Sequence, residues 1–449
     1  MTTQTFFADF VWRGGETAEA NCRIEVSNGV IVSVLDGATA QSGDTRVSGV
    51  VLPGLVNAHS HAFHRALRGL THSGAGDFWS WRSPMYQVAN NLTPDSYGEL
   101  AALVYAEMAL AGITGVGEFH YLHHNANGAK YTDPNEMGMA LVAAAQRAGT
   151  RLALLDVAYL HGGLDKPELL PEQRRFADRD IDAWLDRVEL MGEGGEGWTV
   201  GLAPHSVRAV HANELDAIVG SRFGRVVHIH VSEQIAENEA CLAATGKTPT
   251  AMLEGVGMLG PHVTAVHATH LTSADIAMLG SSKTNVCFCP TTERDLADGV
   301  GPGQQLVSAG ARLSLGSDSH AVIDLFEEAR AVELNQRLVT GRRGLHSAGS
   351  LLAAATHGGS HSLGWTGDAT VAGINPGIPA DFIALSLNSV RLASFSAQQA
   401  AAHIVYSAAP SDVTDVWVAG RQIVAAGKHT AIGEVAAGLR SAISAVVTI

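Results

Sequence analysis

Over about residues 51–369 the chain repeats one pattern about eight times: a short apolar run, then a longer segment with helical spacing. The runs are GVVLPGLVNAH, TGVGEFH, RLALLDVAY, WTVGLAPHS, RVVHIHVSE, VTAVHATH, TNVCFCP and ARLSLGSDSH. Segments such as DSYGELAALVYAEMALAG and MGMALVAAAQRAG lie between them. Short apolar runs bounded in this way suit buried parallel strands, and their alternation with helices is the pattern of an α/β fold, a (β/α)8 barrel. The polar residues add a second constraint. Several runs finish in His, Asp or Glu, at the strand end where such a barrel collects its active site.

The flanks have another texture. TFFADFVWRGG and ANCRIEVSNGVIVSVLDG alternate apolar and polar residues around an NG turn, and ADFIALSL and VTDVWVAGRQIVAAGKH repeat this near the other end. Chain ends often lie close together, so both flanks are expected to build one small β-sandwich domain. The expected division is 1–50 and 370–449 for that domain, around a barrel of 51–369, with GEVAAGLRSAISAVV as a closing helix.

Composition narrows the partners. Lys and Arg number 29 against 44 Asp and Glu, a net charge of −15. That charge repels phosphate backbones and anionic membranes, so neither nucleic acid nor membrane is expected as a partner. The four cysteines (Cys22, Cys241, Cys287 and Cys289) form no CxxC pair, and the opening MTTQTFFADFVWRGG has no basic stretch followed by an apolar core. No apolar run approaches the roughly 20 residues that cross a bilayer. The expected compartment is the reducing cytoplasm.

The chemistry is carried by a set of strand-end residues. His59 and His61 close the first run, and residues two apart on a strand face the same way. His230 ends the fifth run with Glu233 just beyond it, His267 ends the sixth, and Asp318 ends the eighth. Three imidazoles and a carboxylate suit a borderline-soft divalent cation, most naturally zinc. A lone HxH is weak evidence; the joint pattern at four strand ends is not.

LPGLVNAHSHAF, HIHVSEQ, VHATH and GSDSH resemble the signature of the amidohydrolase superfamily over the whole barrel and its flanks. The resemblance implies metal ligands at His59, His61, His230 and Asp318, a proton-shuttling Glu233, and His267 beside the metal-bound water. Binuclear relatives place a carboxylated Lys at the end of strand four, where this chain reads GLAPHS, so one divalent ion per subunit is implied. Such an ion lowers the pKa of bound water towards about 7. Hydroxide then attacks an sp² carbon bonded to nitrogen, with catalytic parts for Asp318 as proton acceptor and Glu233 as donor to the leaving nitrogen.

HSHAFHRALRG, FWSWRSPMY, EFHYLHH, APHSVRAV and GSDSHAVIDLFEEARAVELNQRL are similar to one branch, the formimidoylglutamate deiminase family. That similarity implies hydrolysis of N-formimidoyl-L-glutamate to N-formyl-L-glutamate and ammonia in histidine degradation, by a homodimer. Substrate contacts carry over to Arg82, Tyr121, His205 and Arg208. His64 stands where the family often has Gln, a departure that either retains a hydrogen bond or alters how the substrate tail is held. Two carboxylates on the substrate call for cationic forks, and Arg is suited to bidentate capture. Two other readings remain: another mononuclear deaminase acting on a guanidino acid, purine or pterin, and a non-catalytic assembly protein on the same barrel. Retention of every ligand disfavours the second.

The remaining motifs read as structural. Cys287 and Cys289 are expected as buried thiols and GVGPGQQ as a loop. His120 is read as the one of His120, His123 and His124 that faces the pocket. His320, two residues past Asp318, is a candidate to orient that carboxylate or touch substrate. No GxSxG elbow or phosphate-binding loop is present.

Overall fold

A computed structural model describes residues 3–71, 78–166, 168–221, 224–365 and 373–447. The expected 369/370 boundary lies outside the described residues. Four strands open the chain: β1 (Thr3–Val11), β2 (Glu19–Ser27), β3 (Val30–Leu35) and β4 (Thr45–Pro53). Then come β5 (Leu55–Ser60), β6 (Ile113–His120), β7 (Arg151–Ala158), the two-residue β8 (Gly194–Gly195) and β9 (Trp198–Pro204). They are followed by β10 (Val227–Val231), β11 (Val263–His267), β12 (Asn285–Phe288) and β13 (Arg312–Leu315). The last strands are β14 (Phe382–Leu385), β15 (Val413–Val418), β16 (Arg421–Ala425) and β17 (Lys428–His429).

Eight of these, β5–β7 and β9–β13, make a parallel sheet in chain order, with β8 attached as an antiparallel partner of β9. Every residue of β5 and β6 is buried, because helices cover the outer face and side chains fill the inner one. The sheet curls until its edges nearly meet. Ser60 and Asp318 form a parallel bridge, in which the Asp318 N–H donates to His59 O at 3.0 Å and the His61 N–H to Asp318 O at 3.2 Å. The bonds that close the barrel therefore run through the backbone of candidate metal ligands. Gly316 permits this approach: a Cβ there would lie 2.7 Å from the Cβ of His59.

The helical layer has local causes. Pro94–Leu110 starts at Thr93, whose hydroxyl accepts the Ser96 N–H while Ser96 Oγ accepts that of Thr93, with Pro at the first helical position. GVGPGQQ is a loop only as far as Pro302, since Gly303–Ala309 is helical. Among the described residues no helix is long and apolar enough to cross a membrane.

Both chain ends join on β4, which pairs parallel with β1 and antiparallel with β14. The expected sandwich of the chain ends is built as one continuous mixed sheet in the order β17-β16-β15-β14-β4-β1-β2-β3. Phe6, Phe382 and Trp417 anchor its core, with ring centroids 4.9–5.6 Å apart. The closing helix Val435–Val446 reaches back to the barrel, where Asn91 Nδ2 donates to Val446 O at 2.9 Å.

Candidate active site

Period two along β5 turns His59 and His61 into the barrel and Ser60 outward, where its hydroxyl donates to Glu118 Oε2 at 2.7 Å. His230 comes in from β10 and Asp318 from the turn after β13. The His61 Nδ1–H donates to Phe119 O and the His230 Nδ1–H to His205 O, both at 2.9 Å. These bonds fix the tautomer and leave each Nε2 lone pair facing inward. His59 Nε2 and His230 Nε2 stand 3.1 Å apart, and Asp318 Oδ1 lies 3.5 Å from His59 Nε2 and 3.3 Å from His61 Nε2. Burial pushes the His59 pKa down to about 3 and that of His230 well below the usual range, so both are neutral donors. Burial alone would raise the Asp318 pKa, but the imidazoles of His59 and His61 hold it well below. Three imidazole nitrogens and a carboxylate oxygen that converge at this range fit a divalent cation.

The backbone at these strand ends is strained. Ser232, His267, Ala268, Asp318 and His320 all have φ between +43° and +68°, a region non-glycine residues rarely adopt. That geometry turns the backbone sharply at the mouth of the barrel, where His267 and Asp318 line the cavity.

His267 stands among carboxylates: its Nε2 is 3.7 Å from Glu233 Oε1 and 3.9 Å from Asp318 Oδ2, and its Nδ1 is 3.5 Å from Glu293 Oε1. Burial opposes its protonation, but these charges outweigh burial and hold its pKa well above the ordinary value. Burial raises the pKa of Glu233, the condition a carboxyl needs to carry a proton near neutrality.

A cavity opens above this centre and is lined by His61, His64, Arg82, Tyr121, His205, Arg208, His230, Glu233, His267 and Asp318. The structure thus gathers all the expected substrate contacts at one cavity. His64 Nε2 is 2.7 Å from the Tyr121 hydroxyl, while its Nδ1 is buried with no hydrogen-bond partner among the described residues. Arg208 is half-buried and paired with Glu237, its Nε donating to Oε1 at 3.3 Å. A second chamber adjoins the first, and Arg82, Arg208 and Glu233 line both.

Two expectations change. His120 does not line the cavity: β6 alternates, so Phe119 and Tyr121 point in while His120 faces the helices and stacks on Tyr97. His320 is fully buried outside the cavity and bonds to serines, its Nε2 3.2 Å from Ser60 Oγ and its Nδ1 3.0 Å from Ser317 Oγ. It braces the strand ends from below and has no bond to the Asp318 carboxylate. Cys287 and Cys289 are fully buried thiols. Tyr86, Tyr159 and Gln173 also belong to the two chambers and were not expected. Tyr86 could have been found one helical turn past Arg82, and Tyr159 at the end of the third run.

Comparison with known proteins agrees with this geometry. Residues 50–423 match the Amidohydrolase family. The chain is 35% identical to formimidoylglutamate deiminase of Pseudomonas aeruginosa over 423 residues, covering 91% of this chain and 92% of that one. It is 30% identical to 5-methylthioadenosine/S-adenosylhomocysteine deaminase of Teredinibacter turnerae over 395 residues, 84% of this chain and 80% of the relative. A solved amidohydrolase from Brucella melitensis superposes with a TM-score of 0.91 at 33% identity, covering 99% of this chain and all of the other. A barrel sealed by its own strand-end donors, and likeness over nearly its full length, lead to one conclusion: the chain belongs to the amidohydrolase family and is a hydrolase acting on carbon–nitrogen bonds.

Proposed function

We propose that the enzyme hydrolyses N-formimidoyl-L-glutamate to N-formyl-L-glutamate and ammonia. One observation carries this choice among deaminase substrates. In an acidic protein, two arginines, Arg82 and Arg208, stand at the neck between the chambers, above the donor cluster. A purine has no use for two guanidinium forks, whereas a substrate with two carboxylates does. The 35% identity to formimidoylglutamate deiminase supports the same reading.

In this reading His59, His61, His230 and Asp318 would hold one zinc ion, which supplies acidified water and Lewis-acid polarisation at the floor of the cavity. A single ion suits a fourth barrel strand that ends in Pro204 and His205, with no Lys. Asp318 takes the proton shed by the attacking water. His267 hydrogen-bonds the oxygen as the formimidoyl carbon becomes tetrahedral. Glu233 delivers a proton to the nitrogen, so that the C–N bond breaks with ammonia as the leaving group and not an amide anion. Arg82 and Arg208 hold the two carboxylates, and His64, Tyr121 and His205 direct the head between tail clamp and floor.

The test is ammonia release by the zinc-loaded enzyme from formimidoylglutamate, a guanidino acid, adenosine and guanine. The expected kcat/KM for formimidoylglutamate exceeds each of the others by at least about a hundredfold. A purine that outpaces it overturns the proposal.

A further inference from the structure

Tyr86, Tyr159 and Gln173 meet at the neck between the chambers and have no part in the steps above. Gln173 is 1% exposed, and its amide is fully engaged. Its Oε1 accepts the Leu170 N–H at 2.8 Å, and its Nε2 donates to Tyr159 Oη at 2.9 Å and to Tyr86 Oη at 3.2 Å. The Leu170 N–H settles which way the amide points, because only its oxygen can accept that bond. Both N–H groups of Gln173 therefore end on phenol oxygens.

Tyr86 Oη also accepts from Arg82 Nη2, and a guanidinium has no acceptor to offer in return. Each phenol is thus met by donors alone. Its own O–H proton has to go elsewhere, and among the described residues neither hydroxyl has an acceptor. Both phenols line the inner cavity. Tyr86 lies under the Arg82 guanidinium, 5.4 Å from ring centroid to Cζ, and Tyr159 lines the same cavity as Arg208. Each arginine consequently comes with one hydroxyl whose proton is free for a ligand.

We propose that Gln173 polarises Tyr86 and Tyr159 into a matched pair of hydroxyl donors, one beside each arginine, making the neck a subsite for the two carboxylates of a glutarate-length acid. This rests on the substrate reading above and deepens it. The Gln173 amide ties the phenols at a fixed separation, so the subsite selects for the spacing between carboxylates as well as for their charge.

The test uses the zinc-loaded enzyme, with glutarate as a probe of the neck and formamidine as a substrate that has the head and no tail. Gln173→Glu keeps the acceptor for Leu170 but replaces the two donors with a carboxylate oxygen, which draws the phenol protons away from the cavity. Expected results are glutarate binding by calorimetry weakened at least about tenfold, and a similar fall in the ratio of kcat/KM for formimidoylglutamate to that for formamidine. Tyr86→Phe and Tyr159→Phe, which remove only one oxygen each, are expected to lower the same ratio about three- to tenfold. Glutarate affinity and that ratio within about twofold of wild type in all three variants overturn the proposal. A wild-type enzyme that turns over a purine and ignores formimidoylglutamate overturns the substrate reading instead, while the glutarate titration still decides the neck.

Discussion

Among the described residues, two of the clusters that bring imidazoles and an aspartate within 4.8 Å of one another have opposite characters. One is the converging set at the mouth, where Asp318 meets only the nitrogens of His59, His61 and His267, at 3.3–3.9 Å. Among the described residues no Lys or Arg pairs with it. The other is His120, His123 and Asp156, turned outward from β6 and β7. Asp156 is already neutralised there: Arg187 donates to both of its oxygens at 2.8 Å, and Trp184 Nε1 adds a third bond at 2.9 Å. Arg187 continues to Asp178, its Nε donating to Oδ2 at 2.8 Å, and the His123 Nε2–H goes to Val157 O at 2.8 Å. Histidines and a carboxylate at close range are therefore not enough to define a cation site. What matters is whether the protein has supplied its own cation. At the mouth it has not, and the lone pairs remain for a metal.

The contrast is open to attack from both sides. His230→Ala removes one converging donor, and is expected to strip the metal and lower turnover by at least about 10³-fold with the fold retained. Elemental analysis beside the ammonia assay checks it. Arg187→Ala is expected to do the opposite. Metal content stays, but buried Asp156 loses its arginine while Asp178 keeps only His124 at 3.5 Å and Lys130 at 3.7 Å, and stability falls by about 3–5 kcal/mol in urea unfolding. An Arg187→Ala protein that loses its metal as fully as His230→Ala would erase the distinction between the clusters.

The same pair of clusters shows what a linear reading can reach. His59 and His61 are legible because their spacing alone puts both on one face, and the other metal-ligand positions are legible because several runs finish in His, Asp or Glu. His120 and Tyr121 are adjacent in a run buried on both sides, so nothing local tells which faces the cavity. Arg187 is likewise invisible as the partner of Asp156, because 31 residues separate them. Gln173 is harder still: it lies in PEQRRF, 87 residues from Tyr86, and only the fold brings the two together. Short-range period and strand-end position survive in sequence, whereas long-range pairing between loops does not.

The smallest of the expected effects separates the clusters by titration. Burial holds the His120 pKa down to about 4, with the Asp156 charge pulling against it and Arg187 reinforcing it. In the unfolded chain the same group titrates near 6.5. Between these values the unfolded state takes a proton that the native state refuses. Its contribution is therefore whole above about pH 6.5, declines as pH falls, and levels off below about 4. The span of about 2.5 pH units corresponds to about 3 kcal/mol at most. His120→Gln removes this slope, so the stability difference between wild type and variant should change with pH across that window. Because Arg187 stands where a metal would, that pH-dependent difference should be the same in zinc-loaded and chelator-treated protein. Urea midpoints measured from pH 4.5 to 7.5 in both states read it directly. A difference that appears only after chelation would assign the titration to the imidazoles at the mouth, and would mean that metal occupancy, not Arg187, governs the outward cluster as well.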